Sequence, residues 1–398
     1  MNKISDLLHL AAYQFNPDRM KIAREYRGLK KNELAQKLSL TPSALTQFER
    51  GQAKPNPQTV AHLSMALRFP ATFFAQPMDA PIISSEQCHF RSLLSCSQME
   101  RRRMVAAGNL IGIITQFIEE HINLPDEQVS NTTAYGAETL EEIDEAAERV
   151  RREWGLGLGP IDNVIHLLES KGILVFRLLE DSRRLDAFSL WQGGHPLIFL
   201  NSEKGSASRN RFDAAHELGH LVLHSDYLPG NKIQELQANQ FASAFLLPRQ
   251  TFMKECPRRL VWKHFLELKH RWKVSLPALV RRAKDLKIIS EDTYKRANVQ
   301  IAKNGWRGGN EPVEPEIEYP TILSQAFNLL NDEGWSISKI AKELSLSEVD
   351  LKWLVFMDST GRDEIEEFQL PSSVDENLPL LRDVYSLFDA ENAKSLNK

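Results

Sequence analysis

Histidine recurs every four residues in HELGHLVLH, which spans residues 216–224. Residues four apart lie on one face of an α-helix, so His216 and His220 can direct both imidazoles at one metal ion. Glu217 lies beside them and can act as the general base on a water at that metal. The plain alternative is a buried helix that happens to carry three histidines. The segment therefore demands a helix, and it predicts a metal site on that helix.

His224 continues the row, but it lies too far along the helix to share an ion with His216. At about 1.5 Å of rise per residue the two are roughly 12 Å apart, whereas zinc bonds are about 2 Å long. We therefore interpret His224 as a buried histidine behind the ligands. Glu235 is the better third ligand, because IQELQANQFASAFLLP (233–248) has the spacing of a packed helix and Glu235 lies in its first turns. Two histidines, a glutamate and an open position for water form a catalytic zinc site.

A second pattern, near the amino terminus, is typical of a DNA-reading helix-turn-helix. In LAQKLSLTPSALTQFERGQAKP (34–55), two apolar helix faces flank a turn at Leu40, and Thr41 with Pro42 is a favourable start for the second helix. Residues 1–70 carry eleven Lys and Arg against five Asp and Glu, a balance that suits a nucleic-acid partner. Lys31 is expected to contact a phosphate. The residues expected at base edges are Thr41, Pro42, Ser43, Thr46 and Gln47. The alternative is a plain helical bundle for protein contacts.

A related pattern occurs near the other end of the chain. LAQKLSLTPSAL (34–45) and IAKELSLSEVDL (340–351) align without gaps and share five identities. Residues 311–398 carry seven Lys and Arg against nineteen Asp and Glu. Glu348 and Asp350 occupy the positions of a reading face, where phosphates would repel them. We therefore expect residues 321–398 to form an acidic helical accessory segment and not a second DNA reader.

The remaining patterns set the fold class and the compartment. Helical spacing dominates, and ILVFRLL, DAFSLW and HPLIFLN are β-rich runs, the last two read as a hairpin. No apolar run approaches the roughly 20 residues that span a membrane, and three cysteines without a visible signal segment suit a reducing cytoplasm. We predict a mostly helical α+β protein with an all-α helix-turn-helix domain, a zincin-like α+β metallopeptidase domain and a small helical segment. The predicted boundaries are 15–75 for the first domain, 76–136 for a linker and helix, and 137–303 for the peptidase.

The linker contains two of the cysteines, Cys88 and Cys96. A thiolate is a good zinc ligand, so either could fill the open position and hold the enzyme inactive. The alternative is that both thiols are idle or buried. A further stretch, NGWRGGNEPVEPEIEYP (304–320), is rich in Gly, Pro and Glu and is interpreted as a second linker.

Both patterns resemble known families. Residues 17–70 resemble the Cro/C1-type (Xre-type) helix-turn-helix, except that Lys31 stands where a glutamine usually begins the second helix of the domain, the helix ahead of the turn. The resemblance implies DNA binding as a homodimer. RFDAAHELGHLVLH followed by IQELQANQFASAFLLP resembles the ImmA/IrrE family of zinc metallopeptidases, over roughly 140–255. That resemblance implies that His216, His220 and Glu235 bind Zn²⁺ and that Glu217 is the base. Gln237 stands where the family often has a second acidic residue.

The ImmA/IrrE resemblance also implies a substrate. Its members cleave Xre-type repressors and release silenced operons in prophages, stress responses or phage defence. Two other functions stay open at this point. The chain could be a non-proteolytic regulator with a structural or sensory zinc site, or an antitoxin-like scaffold that uses its acidic segment. Glu217 discriminates between the peptidase and the regulator, since a purely structural zinc site needs no base beside the metal.

Overall fold

A computed structural model describes the chain over residues 3–78, 82–83, 89–90, 97–129, 139–178, 187–192, 194–201, 206–224, 232–307 and 310–355. Helices dominate these residues and one small sheet accompanies them, which confirms the predicted mostly helical α+β class. The chain divides into two compact units. The first comprises residues 1–85, 97–123 and 323–398, and the second comprises 86–96 and 124–322.

In chain order the helices are α1 (Lys3–Tyr13), α2 (Pro17–Tyr26), α3 (Lys31–Lys37), α4 (Pro42–Glu49), α5 (Pro57–Leu67), α6 (Gln98–Glu119), α7 (Leu140–Glu153), α8 (Val164–Ser170), α9 (Ala207–Leu223), α10 (Lys232–Leu246), α11 (Arg249–Glu255), α12 (Trp262–Trp272), α13 (Leu276–Asp285), α14 (Glu291–Lys303), α15 (Ile322–Asp332), α16 (Ile337–Glu343) and α17 (Glu348–Val355). A 3-10 turn covers Ala71–Ala75, and the strands are β1 (His89–Phe90), β2 (Leu174–Leu178), β3 (Ala187–Gln192) and β4 (His195–Asn201). Within the described helices, none combines the length and apolar character needed to cross a lipid bilayer.

In the first unit, α3 and α4 form the predicted helix-turn-helix. Thr41 accepts a hydrogen bond from the Ala44 amide and Pro42 opens α4, so this helix begins where the sequence predicts. Leu34, Ala35 and Leu45 are buried between the two helices. Local capping and one apolar face per helix therefore account for this part of the fold.

The acidic copy forms the same local structure with α16 and α17. Ser345 in its turn has a left-handed φ of 54°, and Ser39 in the first copy has 53°. The expectation that Asp350 faces outward is wrong, because its carboxylate is buried and accepts two 2.7 Å hydrogen bonds from the Arg27 guanidinium. Trp353 packs edge-on against Tyr26 beside this ion pair. The face of α17 that carries Asp350 and Trp353 therefore packs against other residues of the first unit.

The second unit is built on a four-stranded sheet with strand order β1-β3-β4-β2. β3 and β4 form the predicted antiparallel hairpin, β2 runs parallel to β4, and β1 pairs antiparallel with β3. β4 lies between β3 and β2 and pairs with both of them, and all its residues are buried. LIFLN, in β4, is therefore not an edge strand to which an extended substrate could add.

α9 packs on β3 and β4, and α10 packs against α9. Gly219 makes the helix contact close, since a Cβ at this position would lie 3.2 Å from backbone atoms of Ala238. Almost every residue of α9 is buried, including polar ones. The helix that carries HELGHLVLH is therefore enclosed between the sheet and α10.

The acidic stretch before α15 differs from the linker we expected at 304–320. Three of its glutamates accept hydrogen bonds from backbone amides at helix starts: Glu311 at Leu276, Glu314 at Ser208 and Glu318 at Val164. Helix amino termini attract negative charge because their first amides lack intrahelical partners. Glu311 and Glu314 also contact the ammonium of Lys269, which is fully buried. This stretch is therefore a packed part of the second unit.

Candidate metal centre and nucleic-acid interface

The three predicted ligands lie together in the second unit. The Nε2 atoms of His216 and His220 are 3.1 Å apart, and Glu235 oxygens lie 3.4 Å and 3.3 Å from them respectively. Bonds of about 2.0–2.1 Å in a tetrahedral arrangement place neighbouring ligand atoms about 3.3 Å apart. The donor set therefore has both the spacing and the chemistry of a zinc site. That these residues bind metal stays a prediction.

The charge of Glu235 suits the same role. Partial burial raises the pKa of this carboxyl, but hydrogen bonds and charge interactions with His216 and His220 outweigh it and lower the pKa to about 2. Glu235 is therefore ionised over the physiological pH range, as a carboxylate ligand must be.

His224 lies behind the ligands, as the sequence predicted. Its Nε2 lies 2.9 Å from Oε1 of Gln237, and its Nδ1 lies 3.1 Å from Nδ1 of His220. Burial lowers the pKa of His224 to about 4, so the ring is neutral. Because the Gln237 oxygen only accepts, the proton of His224 lies on Nε2, and its Nδ1 accepts from His220. This relay leaves the Nε2 lone pair of His220 directed at the ligand cluster.

We expect His224→Phe to weaken zinc binding by about 10- to 100-fold, the usual effect of losing such a partner. The substitution keeps the ring volume and removes the acceptor for His220. Competition for zinc with a chelating dye measures the change. His264→Phe is the matched control, since His264 is exposed on α12. Equal affinities in the two variants would contradict the orienting role of His224.

Glu217 is fully buried and accepts a 2.8 Å hydrogen bond from the Ser189 hydroxyl, which is also fully buried. Sequence reasoning missed Ser189. The available signal is period-two alternation: in AFSLWQ, Ser189 falls on the same face of β3 as Ala187 and Trp191. A hydroxyl in the middle of a buried strand usually has a partner, and here that partner is the predicted base.

We expect Ser189→Ala to lower kcat about 10- to 100-fold without loss of metal, because the carboxylate of Glu217 loses the donor that orients it. KM should change little, since Ser189 is buried and contacts Glu217 rather than the substrate. Ser189→Thr restores the hydroxyl and should recover part of kcat. A parallel fall in kcat and metal content would show a structural role instead.

Arg211, which precedes His216 by five residues on α9, is a candidate either for an oxyanion donor or for a structural residue. Its guanidinium donates to the carbonyls of Ile161 and Asp162 and pairs with Glu318. These contacts hold both terminal nitrogens of the guanidinium inside the core, so the geometry favours the structural role.

A cavity of about 500 Å³ in the second unit is lined in part by residues of α9 and α10, the helices that carry the predicted ligands, but by none of the ligands themselves. Asp213 and Arg209 precede His216 at helical spacing, and Asn239 follows Glu235 by one turn, so the cavity continues the faces that carry the ligands. Leu236 of α10 is an apolar position of the stretch 233–248, but it is exposed and lines this cavity.

The predicted DNA contacts lie at the start of α4 and α3. Pro42, Ser43 and Gln47 are exposed. Thr46 is half-buried and donates its hydroxyl to the Pro42 carbonyl, while Thr41 caps the helix. Lys31 forms a 2.7 Å ion pair with Glu49. Ser43 and Gln47 therefore offer the most accessible polar groups of the set, and contact with DNA stays a prediction for all of them.

Cys88 and Cys96, the hypothesised inhibitory ligands, lie outside the described residues. Cys256 is buried, and burial raises the pKa of its thiol to about 12. Its thiolate is therefore scarce at neutral pH, which makes it a poor ligand or nucleophile.

Comparison with known families gives two matches. Residues 168–284 match the peptidase M78 family, described as the IrrE N-terminal-like domain, and residues 20–74 match a helix-turn-helix family. Curated proteins gave no match to the chain. The predicted fusion is confirmed: a DNA-binding helix-turn-helix domain and a metallopeptidase-family domain share one chain.

Proposed function

We propose that this protein is a zinc-dependent endopeptidase that cleaves a regulatory protein, an Xre-type repressor, and thereby relieves transcriptional repression. The observation that carries the proposal is the cluster of His216, His220 and Glu235 at zinc-ligand spacing, with Glu217 beside it. This cluster lies in the part of the chain that matches the IrrE-type domain. The setting we propose is a stress response, a prophage or phage defence, in the cytoplasm where the DNA lies.

The residues divide the chemistry among them. When bound, zinc supplies a Lewis acid that polarises the scissile carbonyl and lowers the pKa of water. Glu217 takes the proton of the attacking water and passes it to the leaving amine. Ser189 holds the Glu217 carboxylate in place through its 2.8 Å hydrogen bond, and His224 fixes the ring of His220. The buried surroundings of Glu217 exclude competing water.

The second candidate is a non-proteolytic regulator with a structural or sensory zinc site. The fully buried pair of Glu217 and Ser189 favours the peptidase, because a structural site closes with a fourth ligand and has no use for an oriented base. The function of a scaffold that acts through the acidic segment would not change when Glu217 or Ser189 is replaced.

The test uses the full chain with zinc and the Xre-type repressors encoded beside its gene. Mass spectrometry should find one cut in one repressor, with DNA fragments present or absent, and a chelator should abolish it. If the zinc-loaded protein cuts none of them while it still binds DNA, the regulator without proteolysis is the better account.

For the DNA-binding domain we expect Gln47→Ala and Lys31→Ala to differ in kind. Gln47→Ala should relax specificity at one base pair, at a cost of about 1–3 kcal/mol. Lys31→Ala should weaken binding to all sequences. It should also reduce, by about one, the slope of the logarithm of the binding constant against the logarithm of the salt concentration. Titrations of operator and scrambled duplexes at several salt concentrations separate the two effects. Identical effects of both variants would contradict the assignment of Gln47 to a base edge and of Lys31 to a phosphate.

We propose that the protein binds paired half-sites as a homodimer. The same titrations test this with operators that contain one or two half-sites.

A further inference from the structure

One strand of the peptidase sheet comes from outside the peptidase domain. β1, His89–Phe90, precedes the matched region 168–284 by about 80 residues and lies in the linker. It pairs antiparallel with β3, with His89 opposite Ser189 and Phe90 opposite Phe188. β2, β3 and β4 lie within the matched region, so without β1 the outer edge of β3 is the open edge of that sheet.

That edge is the one nearest the predicted chemistry. Ser189, which pairs with His89 on the linker side, also donates its hydroxyl to Glu217. Neighbouring strands lie about 4.8 Å apart, so a chain on the outer edge of β3 runs one strand spacing from the residue that orients the base. Extended peptides commonly dock by adding a strand to an open sheet edge.

We propose that linker strand β1 acts in the resting chain as an intramolecular substrate mimic, which occupies the outer edge of β3 and thereby blocks the edge at which an extended peptide substrate docks. This inference rests on the proposed peptidase function. It assigns the linker a backbone role that does not depend on its cysteines.

The pairing is short enough to be displaced. β3 has six residues, and among the described residues β1 pairs with only two of them. A longer extended substrate can form more backbone hydrogen bonds along the same edge, and its side chains alternate between the two faces of the sheet. The chain on either side of segment 86–96 belongs to the first unit, which contains the helix-turn-helix. A ligand of that unit can therefore act on β1 through the chain itself.

The test compares two double variants of the full chain, both with Glu217→Gln so that nothing is cut. His89→Pro with Phe90→Pro removes the amides that a strand must donate, whereas His89→Ala with Phe90→Ala removes the same side chains and keeps the amides. The probe is a fluorescein-labelled peptide of residues 84–94 with serine in place of Cys88. If β1 occupies the edge nine-tenths of the time, the proline pair should bind this peptide about tenfold more tightly than the parent. The alanine pair should stay within about twofold.

Hydrogen exchange of β3 provides the second readout. The outward-facing amides of residues 187–192 should exchange faster in the proline pair, and the added peptide should slow them again. If the proline pair binds no more tightly than the alanine pair, or if the peptide leaves β3 exchange unchanged, the proposal is overturned. Neither measurement requires catalysis. Normal docking in a protein that never cleaves would therefore count against the peptidase function and leave the docking edge intact.

Discussion

Glu217→Gln is expected to reduce cleavage by about 10²- to 10⁴-fold, the usual contribution of a general acid–base residue. Glutamine keeps the size of the side chain and an oxygen that can accept from Ser189, but it cannot take a proton from water. Zinc content should stay at the wild-type level, because Glu217 is not among the three residues at ligand spacing. Cleavage rates with metal analysis of the same preparations give the result.

Glu169→Gln is a suitable control for this substitution. Glu169 is a buried glutamate of the same unit that accepts backbone hydrogen bonds from Thr321 and Ile322. Its amide variant should keep wild-type cleavage, although its stability can fall. An active Glu217→Gln protein would refute the assignment of the base, and a metal-free one would move Glu217 among the ligands.

Lys269→Met should destabilise the second unit by about 3–5 kcal/mol, as is typical when one partner of a buried ion pair is removed. Lys269 is fully buried, and its ammonium lies 2.8 Å from Glu311. Methionine fills a similar volume, but it leaves Glu311, itself nearly buried, without its cation. Urea denaturation followed by the fluorescence of the tryptophans measures the loss. The same change should release the acidic stretch, which hydrogen exchange over 310–321 detects.

Arg271→Met provides the matched comparison, because Arg271 lies two residues further along α12 and also pairs with a glutamate, Glu255. Its side chain is 52% exposed, and solvent-exposed pairs contribute at most about 1 kcal/mol. A loss from Lys269→Met no larger than that from Arg271→Met would show that the acidic stretch contributes little to stability.

Features encoded by short spacings were predictable from the sequence. Thr41 and Pro42 mark the start of α4, and the four-residue interval sets His216 and His220 on one face, because both signals act within one helical turn. Glu235 was also predictable as the partner of these histidines, since the helix that follows HELGHLVLH must pack back on it.

Features that depend on distant partners were not predictable. The sequence pattern places Asp350 on the exposed face of its helix. Its burial depends on the ion pair with Arg27, 323 residues away. The stretch 311–318 has the composition of a linker, yet Glu311, Glu314 and Glu318 each accept a hydrogen bond at the amino terminus of a separate helix. Ser189 and β1 depend on strand register, which a one-residue shift would change completely.

The contact between Arg27 and Asp350 has a consequence for biosynthesis. The first unit is completed only by residues 323 onward, so every residue of the second unit is translated before this last segment of the first unit. At about 5–20 residues per second, a nascent chain waits roughly 15–65 s between Arg27 and Asp350. During that time Tyr26 and Arg27 lack the partners that α17 later supplies. The contact of α17 with Tyr26 and Arg27 can thus form only after every residue of the second unit has been synthesised.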